Sequence, residues 1–553
     1  LNDKPIPNYL MMLTAGDFVH IKDDYNGLLV DYFTGPQNQE NLQSTGEKTP
    51  RMIEFFEQKF GVKYPWQKYS QVWVNDFIWG GMENTSATIN THRAVADQRS
   101  KLDITFPEVL VAHELSHQWF GDLVVVDDWP SLWIKEGAAT YSESLWWRHE
   151  YGDQEFNYYR LEEWREYLAE SYKRPTQTRF YRHVEDLYDR HSYTKAGTIY
   201  HMFYAILGEE LFTRFTREIL TTHSFSNIVD SDIVKAFEKV SGINILPLLD
   251  QYLYTQGHPD FKISYNFDEK GKFVKLDVSQ TQVSDDDHST LFDLELPVTL
   301  NYFEKPNINK EVKQYNLNNK TIYSVQFKIR ADKASQSFYL NSENKPDFVS
   351  FDDGNDFLKT VEIKADLQSL ENAAIYASDI LARTFAKEAI AKLDNLKSLK
   401  SLEKTYNESE FWADRKETVD AISKINLDQK NDFLRKVLGL EIETRVKAAI
   451  LNGLARTKTK QNFESVFSYA DKHEEGYRTQ AASLVNSAKI AKSLGGQHSE
   501  MILKKATEIL NRGNHWGQLV SGACLKAIGI FKDRVDSFET LKSYAQKDKA
   551  PEL

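Results

Sequence analysis

Apolar and polar positions alternate with different periods in different stretches of this chain, and the changes of period mark its elements. Residues 1–45 read as short strands and turns, with "YLMMLTAGDFVHI" and "GLLVDYFTG" as the apolar runs. Thr49 and Pro50 predict a helix start, cap followed by proline at the first helical position, and Gly61 predicts its end. "YSQVWVNDF" (69–77) alternates as a strand does, and the Gly-rich "IWGGMENTSATIN" (78–90) reads as mostly extended. From Pro107 to about Asp260 the spacing turns helical. Between 261 and 362, segments such as "KISYNF", "KFVKLDVSQ" and "LELPVTLNYF" alternate between polar turns, which predicts a small β-sandwich. From 363 to 553 helical patterns such as "AAIYASDILARTFAKEAIAKL" follow one another without a strict repeat, an irregular α-solenoid-like array. The expectation is a multidomain α+β chain divided as 1–45, 46–260, 261–362 and 363–553.

Composition narrows the chemistry. At 553 residues the chain exceeds one ordinary core, and 13% aromatic content with 11 tryptophans argues for large buried cores. A net charge of −13 without a long basic run argues against nucleic-acid binding through phosphate neutralisation. Cys524 is the only cysteine, so intramolecular disulfides and cysteine-rich zinc sites are excluded, and a metal must be held by His, Asp or Glu. No apolar run is long enough for a transmembrane segment. "LNDKPIPNYLMML" lacks the pattern of a signal peptide, and neither compartment nor oligomeric state is legible.

Candidate chemistry concentrates in "VAHELSHQWFGDL" (111–123). Residues four apart on a helix project about 40° apart, so His113 and His117 can turn one nitrogen each toward a common ion, while Glu114 is turned about 100° away and can hold a water. A hydrolytic zinc site takes three protein ligands and one open position. Glu136, with eighteen residues between it and His117, stands in the next helical pattern, and that topology permits it to be the third.

His113, Glu114, His117 and Glu136 at this spacing resemble the gluzincin zinc aminopeptidases of the aminopeptidase N type. "GGMEN" (80–84) resembles that family's G-x-M-E-N exopeptidase motif, and "SYTKAG" (192–197) its Y-E-K-G segment, with Thr194 and Ala196 replacing the usual glutamate and glycine. The resemblance covers residues 1 to about 260 and implies a thermolysin-like, mainly α catalytic domain with one Zn²⁺ per chain on His113, His117 and Glu136. It further implies Glu114 as general base and Tyr193 as oxyanion donor. Glu83 would hold the substrate's α-ammonium, with Gly80, Gly81, Met82 and Asn84 beside the peptide. Glu143, two turns after Glu136, either supports a ligating histidine from behind or is an ordinary surface glutamate. Relatives carry a β-rich domain upstream, so residues 1–45 are expected to be remnant strands closing a domain absent here. The expected substrates are peptides with a free N-terminus. Two alternatives stand beside this: a thermolysin-like endopeptidase, and a catalytically weak or inactive peptide-binding scaffold.

Overall fold

A computed structural model describes residues 3–75, 77–282, 291–513 and 518–547; Asp76 and 283–290, inside the expected strand and β-rich region, lie outside the described residues. Contacts gather the chain into two compact units, Leu1–Val95 with Phe106–Phe385, and Ala96–Thr105 with Ala386–Leu553.

The first unit opens with β1 (Val19–Tyr25) and β2 (Leu28–Thr34), then α1 (Gln39–Gly46), α2 (Thr49–Phe60), β3 (Lys68–Val74), β4 (Gly81–Met82) and β5 (Ala87–Thr91). Thr49 lies inside α2 instead of capping it, and its hydroxyl accepts from Gln71 Nε2 at 2.8 Å. Gly61 ends the helix at φ +68°, the left-handed conformation that glycine takes without strain. The five strands form one sheet in the order β1-β2-β3-β5-β4, parallel at β2/β3 and β3/β5. β4 is antiparallel to β5 through Gly81↔Asn90 and Met82↔Ile89, and among the described residues no strand pairs with its outer edge.

The helices follow: α3 (Phe106–Ser116), α4 (Trp133–Tyr151), α5 (Asp153–Leu168), α6 (Ala196–Thr222), α7 (Asp230–Ser241) and α8 (Leu246–Tyr252). Two short parallel strands interrupt them, β6 (Val124–Val126) and β7 (Ser226–Ile228). So does the long connection 169–190, which the helical expectation for this stretch passed over. A single π-turn, His191–Lys195, leads into α6.

Between Asp260 and Lys364 the described strands pair into two four-stranded sheets. The strand Phe273–Gln280 alternates half-buried and buried positions along its whole length, the signature of one face turned to a core. Phe261 of one sheet meets Phe351 of the other with ring centroids 5.2 Å apart, as sandwich cores do. In the second unit, successive helices from Leu396–Glu408 to Val535–Lys547 bury apolar stripes such as Leu399, Leu402, Leu434 and Leu484. Residues 96–105 belong to this unit: Arg99 Nε donates to Glu475 O at 2.7 Å, and Tyr477 OH to Asp97 Oδ2 at 2.6 Å.

Candidate metal centre

The helix bearing the two histidines is apolar on nearly every side. Pro107 occupies the first turn of α3, where its missing N–H leaves no bond unmade, and Leu110, Val111, Ala112 and Leu115 are buried around it. His117 lies one residue past the helix end, yet its N–H still donates to His113 O at 3.2 Å, so the four-residue spacing keeps both rings on one face. Glu136 comes from α4, which is buried continuously from Trp133 to Trp147 and packs on α3.

His113 Nε2 and His117 Nε2 stand 3.1 Å apart, and Glu136 Oε2 lies 3.4 Å from the first and 3.3 Å from the second. The other nitrogen of each ring is engaged. His117 Nδ1 meets the Phe120 carbonyl at 2.7 Å, and His113 Nδ1 meets Glu143 Oε1 at 2.5 Å. These oxygens accept, so each ring carries its proton on Nδ1 and turns an Nε2 lone pair toward Glu136. Three lone-pair atoms this close repel one another unless a cation lies among them. A tetrahedron with metal bonds of about 2.0–2.1 Å has edges of about 3.3 Å, and the observed spacings fit it. Glu143 is 7% exposed and also accepts from the Tyr159 phenol, so it is a buried support for His113.

Charge is packed tightly here. Burial would raise the Glu136 carboxyl, but the Lys135 ammonium beside it holds it well below its ordinary range. Burial pushes Glu114 up to about 7, with help from the neighbouring Glu83 and Glu136 carboxylates. Glu114 Oε2 has no hydrogen-bond partner among the described residues, which leaves one oxygen free for a water. A Cβ on Gly81 would overlap the Glu114 carboxyl, so only glycine lets β4 run this close. Gly80 O accepts from Thr91 N at 2.9 Å, Met82 follows in the strand, and Asn84 Nδ2 donates to Leu10 O at 3.1 Å.

Glu83 is buried beside the centre, and its Oε1 accepts from Lys135 Nζ, which also lies 3.3 Å from Glu136 Oε1. Sequence reasoning missed Lys135; a lysine directly before Glu136 inside the otherwise uncharged "SLWIKEGAAT" was the available signal. Nothing in the spacing of α5 marks Tyr159. Tyr193 sits in the π-turn with its ring 5.9 Å from that of His113 at 22°, and its phenol finds no hydrogen-bond partner among the described residues. Thr194 and Ala196, the departures from the motif, both serve packing. Thr194 Oγ1 donates to Arg190 O at 2.8 Å, and Ala196 fills the space over Gly137.

Residues 45–252 match the peptidase family M1 domain. The chain is 28% identical over 301 residues to probable aminopeptidase 2 of Sulfurisphaera tokodaii, covering 53% of this chain and 38% of that one. Leucyl aminopeptidase of Saccharolobus solfataricus matches to the same extent, at 28% with 53% and 38% covered. Aminopeptidase 2, mitochondrial, of Saccharomyces cerevisiae is 25% identical over 422 residues, covering 73% of this chain and 42% of that one. The chain thus spans less than half the length of these relatives. In fold it resembles Legionella pneumophila aminopeptidase A, solved in complex with aspartic acid, at a TM-score of 0.62 and 17% identity, with 99% of this chain and 64% of that one covered. Motif, donor geometry and matched domain point the same way: residues 45–252 match the peptidase family M1 domain, and the relatives that the chain resembles are aminopeptidases.

Proposed function

We propose that the chain is a zinc-dependent aminopeptidase that hydrolyses the first peptide bond of peptides with a free N-terminus. One observation carries this reading: His113 Nε2, His117 Nε2 and Glu136 Oε2 converge within 3.4 Å of one another beside a Glu114 oxygen with no partner. One Zn²⁺ bound there would supply Lewis-acid activation of water and carbonyl. Glu114 takes the proton of the attacking water and returns it to the leaving amine. Tyr193 donates its phenol hydrogen to the oxyanion. The α-ammonium is held by Glu83 through a charge-assisted bond, and the peptide backbone lies along Gly80, Gly81, Met82 and Asn84 as an added strand. In this reading residues 46–260 carry the chemistry; 1–45, expected as a separate remnant, supply β1 and β2 of the same sheet, and 261–362 and 363–553 are further segments.

The test is hydrolysis of a panel of aminoacyl-anilides by zinc-loaded protein, with and without chelator, beside N-acetylated counterparts. Chelator-sensitive cleavage confined to free amines supports the reading, and equal cleavage of blocked substrates favours an endopeptidase instead. The Glu83–Lys135 ion pair favours a second reading, a peptide-binding protein of weak activity, because an internal ammonium already engages the amine anchor. Binding of free-amine peptides without turnover by the zinc-loaded chain would establish it.

A further inference from the structure

We propose that Arg174, paired with Asp189, is a positioning residue that sets the π-turn and thereby the place of the Tyr193 phenol; this rests on the role given above to Tyr193. The connection 169–190 is long and irregular, and Arg174 ties its beginning to its end. Arg174 Nη1 donates to Pro175 O at 2.8 Å and Thr176 O at 2.7 Å. Nη2 reaches Leu187 O at 3.0 Å and Ser192 Oγ at 2.8 Å. Nε and Nη2 grip the two carboxylate oxygens of Asp189 at 3.1 and 2.7 Å, a forked pair that one lysine ammonium cannot reproduce.

Asp189 passes that constraint into the turn. Its Oδ1 accepts from His191 N at 2.9 Å, and its carbonyl accepts from Ser192 N at 3.1 Å and Tyr193 N at 3.3 Å. Lys195 N then bonds back to Arg190 O at 2.9 Å, five residues earlier. Such wide turns are rare single-turn features and are frequent at functional sites. The side chains of His191, Ser192, Thr194 and Lys195 are buried, and Tyr193 alone in the turn reaches toward the centre. Lys173 Nζ, 3.0 Å from Asp189 Oδ2, adds charge from a half-exposed position without a fork.

Steady-state kinetics of the zinc-loaded full chain, on the aminoacyl-anilide it cuts fastest, tests this. Tyr193→Phe should lower kcat about 100-fold, the scale of one lost oxyanion donor. Arg174→Lys should lower kcat at least about tenfold with KM nearly unchanged, and Arg174→Lys with Tyr193→Phe should be no slower than Tyr193→Phe alone, since both act through one phenol. The proposal is overturned if Arg174→Lys stays within about twofold of wild type while Tyr193→Phe falls, or if the two losses multiply. Should Arg174→Lys fail to fold or to hold zinc, Asp189→Asn is scored by the same criteria. Loss of folded protein in both variants assigns the pair to stability alone and overturns it. An undiminished kcat in Tyr193→Phe instead removes the role of the tyrosine and, with it, the purpose of the clamp.

Discussion

Glu114 and Lys195 are both buried titratable groups, and burial acts on them in opposite directions. Glu114 is pushed up to about 7, where a carboxylate is a stronger base than an ordinary one and divides about evenly between its two forms near neutrality, able to take a proton and to return it. Glu114→Gln keeps its shape and removes the base, so kcat should fall by about 10²–10⁴ while bound zinc, measured by metal analysis, is retained. Lys195 is lowered to about 7 by burial, with Arg174 adding to the effect, and among the described residues its ammonium meets Thr255 O at 3.4 Å and the Tyr167 ring. The unfolded chain holds this proton up to a pH of about 10.4, so between about 7 and 10 it binds more protons than the folded chain and stability climbs with pH. Below about 7 the full penalty of the buried charge is present. Lys195→Met should therefore raise the unfolding temperature, more at pH 6 than at pH 10. Equal gains at both would assign the effect to packing.

At the scale of elements, the centre depends on how closely helices and strand approach. Gly137 follows Glu136 in α4, and a Cβ there would stand 2.7 Å from Ala196 Cβ in α6, so this contact sets the spacing between the helices bearing Glu136 and leading on from Tyr193. Gly137→Val should destabilise the fold by about 1–3 kcal/mol, as overpacking does, and weaken zinc retention, both readable by thermal unfolding and by chelator competition. Gly81→Ala works differently. Its added methyl meets the Glu114 carboxyl, the far end of a side chain, so the unfolding temperature should hold while kcat/KM drops by at least about tenfold. The helix α2 and the pairing of histidines on α3 were legible because they depend on local spacing. The Glu83–Lys135 pair, the Tyr159 support and the Arg174 clamp were not, because each joins segments whose meeting is decided by tertiary packing and leaves no period in the sequence.

For the whole molecule, the bound ion is expected to act as a structural staple as well as a reagent. Ligands from α3 and α4 leave mutually repelling lone pairs without it, so zinc at 1,000 times its Kd should add about 4 kcal/mol to stability. Excess chelator should then lower the unfolding temperature of wild type, and of His113→Ala far less; identical melting with and without chelator would speak against a metal at this centre. The succession from a mixed sheet through helices to paired β-sheets and a helical array follows the changes of period along the chain. The membership of 96–105 in the second unit does not, since its partners Glu475 and Tyr477 lie nearly four hundred residues away.

The bare side of β4 has its own consequence. A ligand that completes a sheet is read through its amides, whatever side chains follow, so tolerance along the ligand should be broad and silencing an amide should be what defeats it. Peptides carrying N-methyl groups near the amino end ought to be refused by this chain even when their side chains are those of a good substrate.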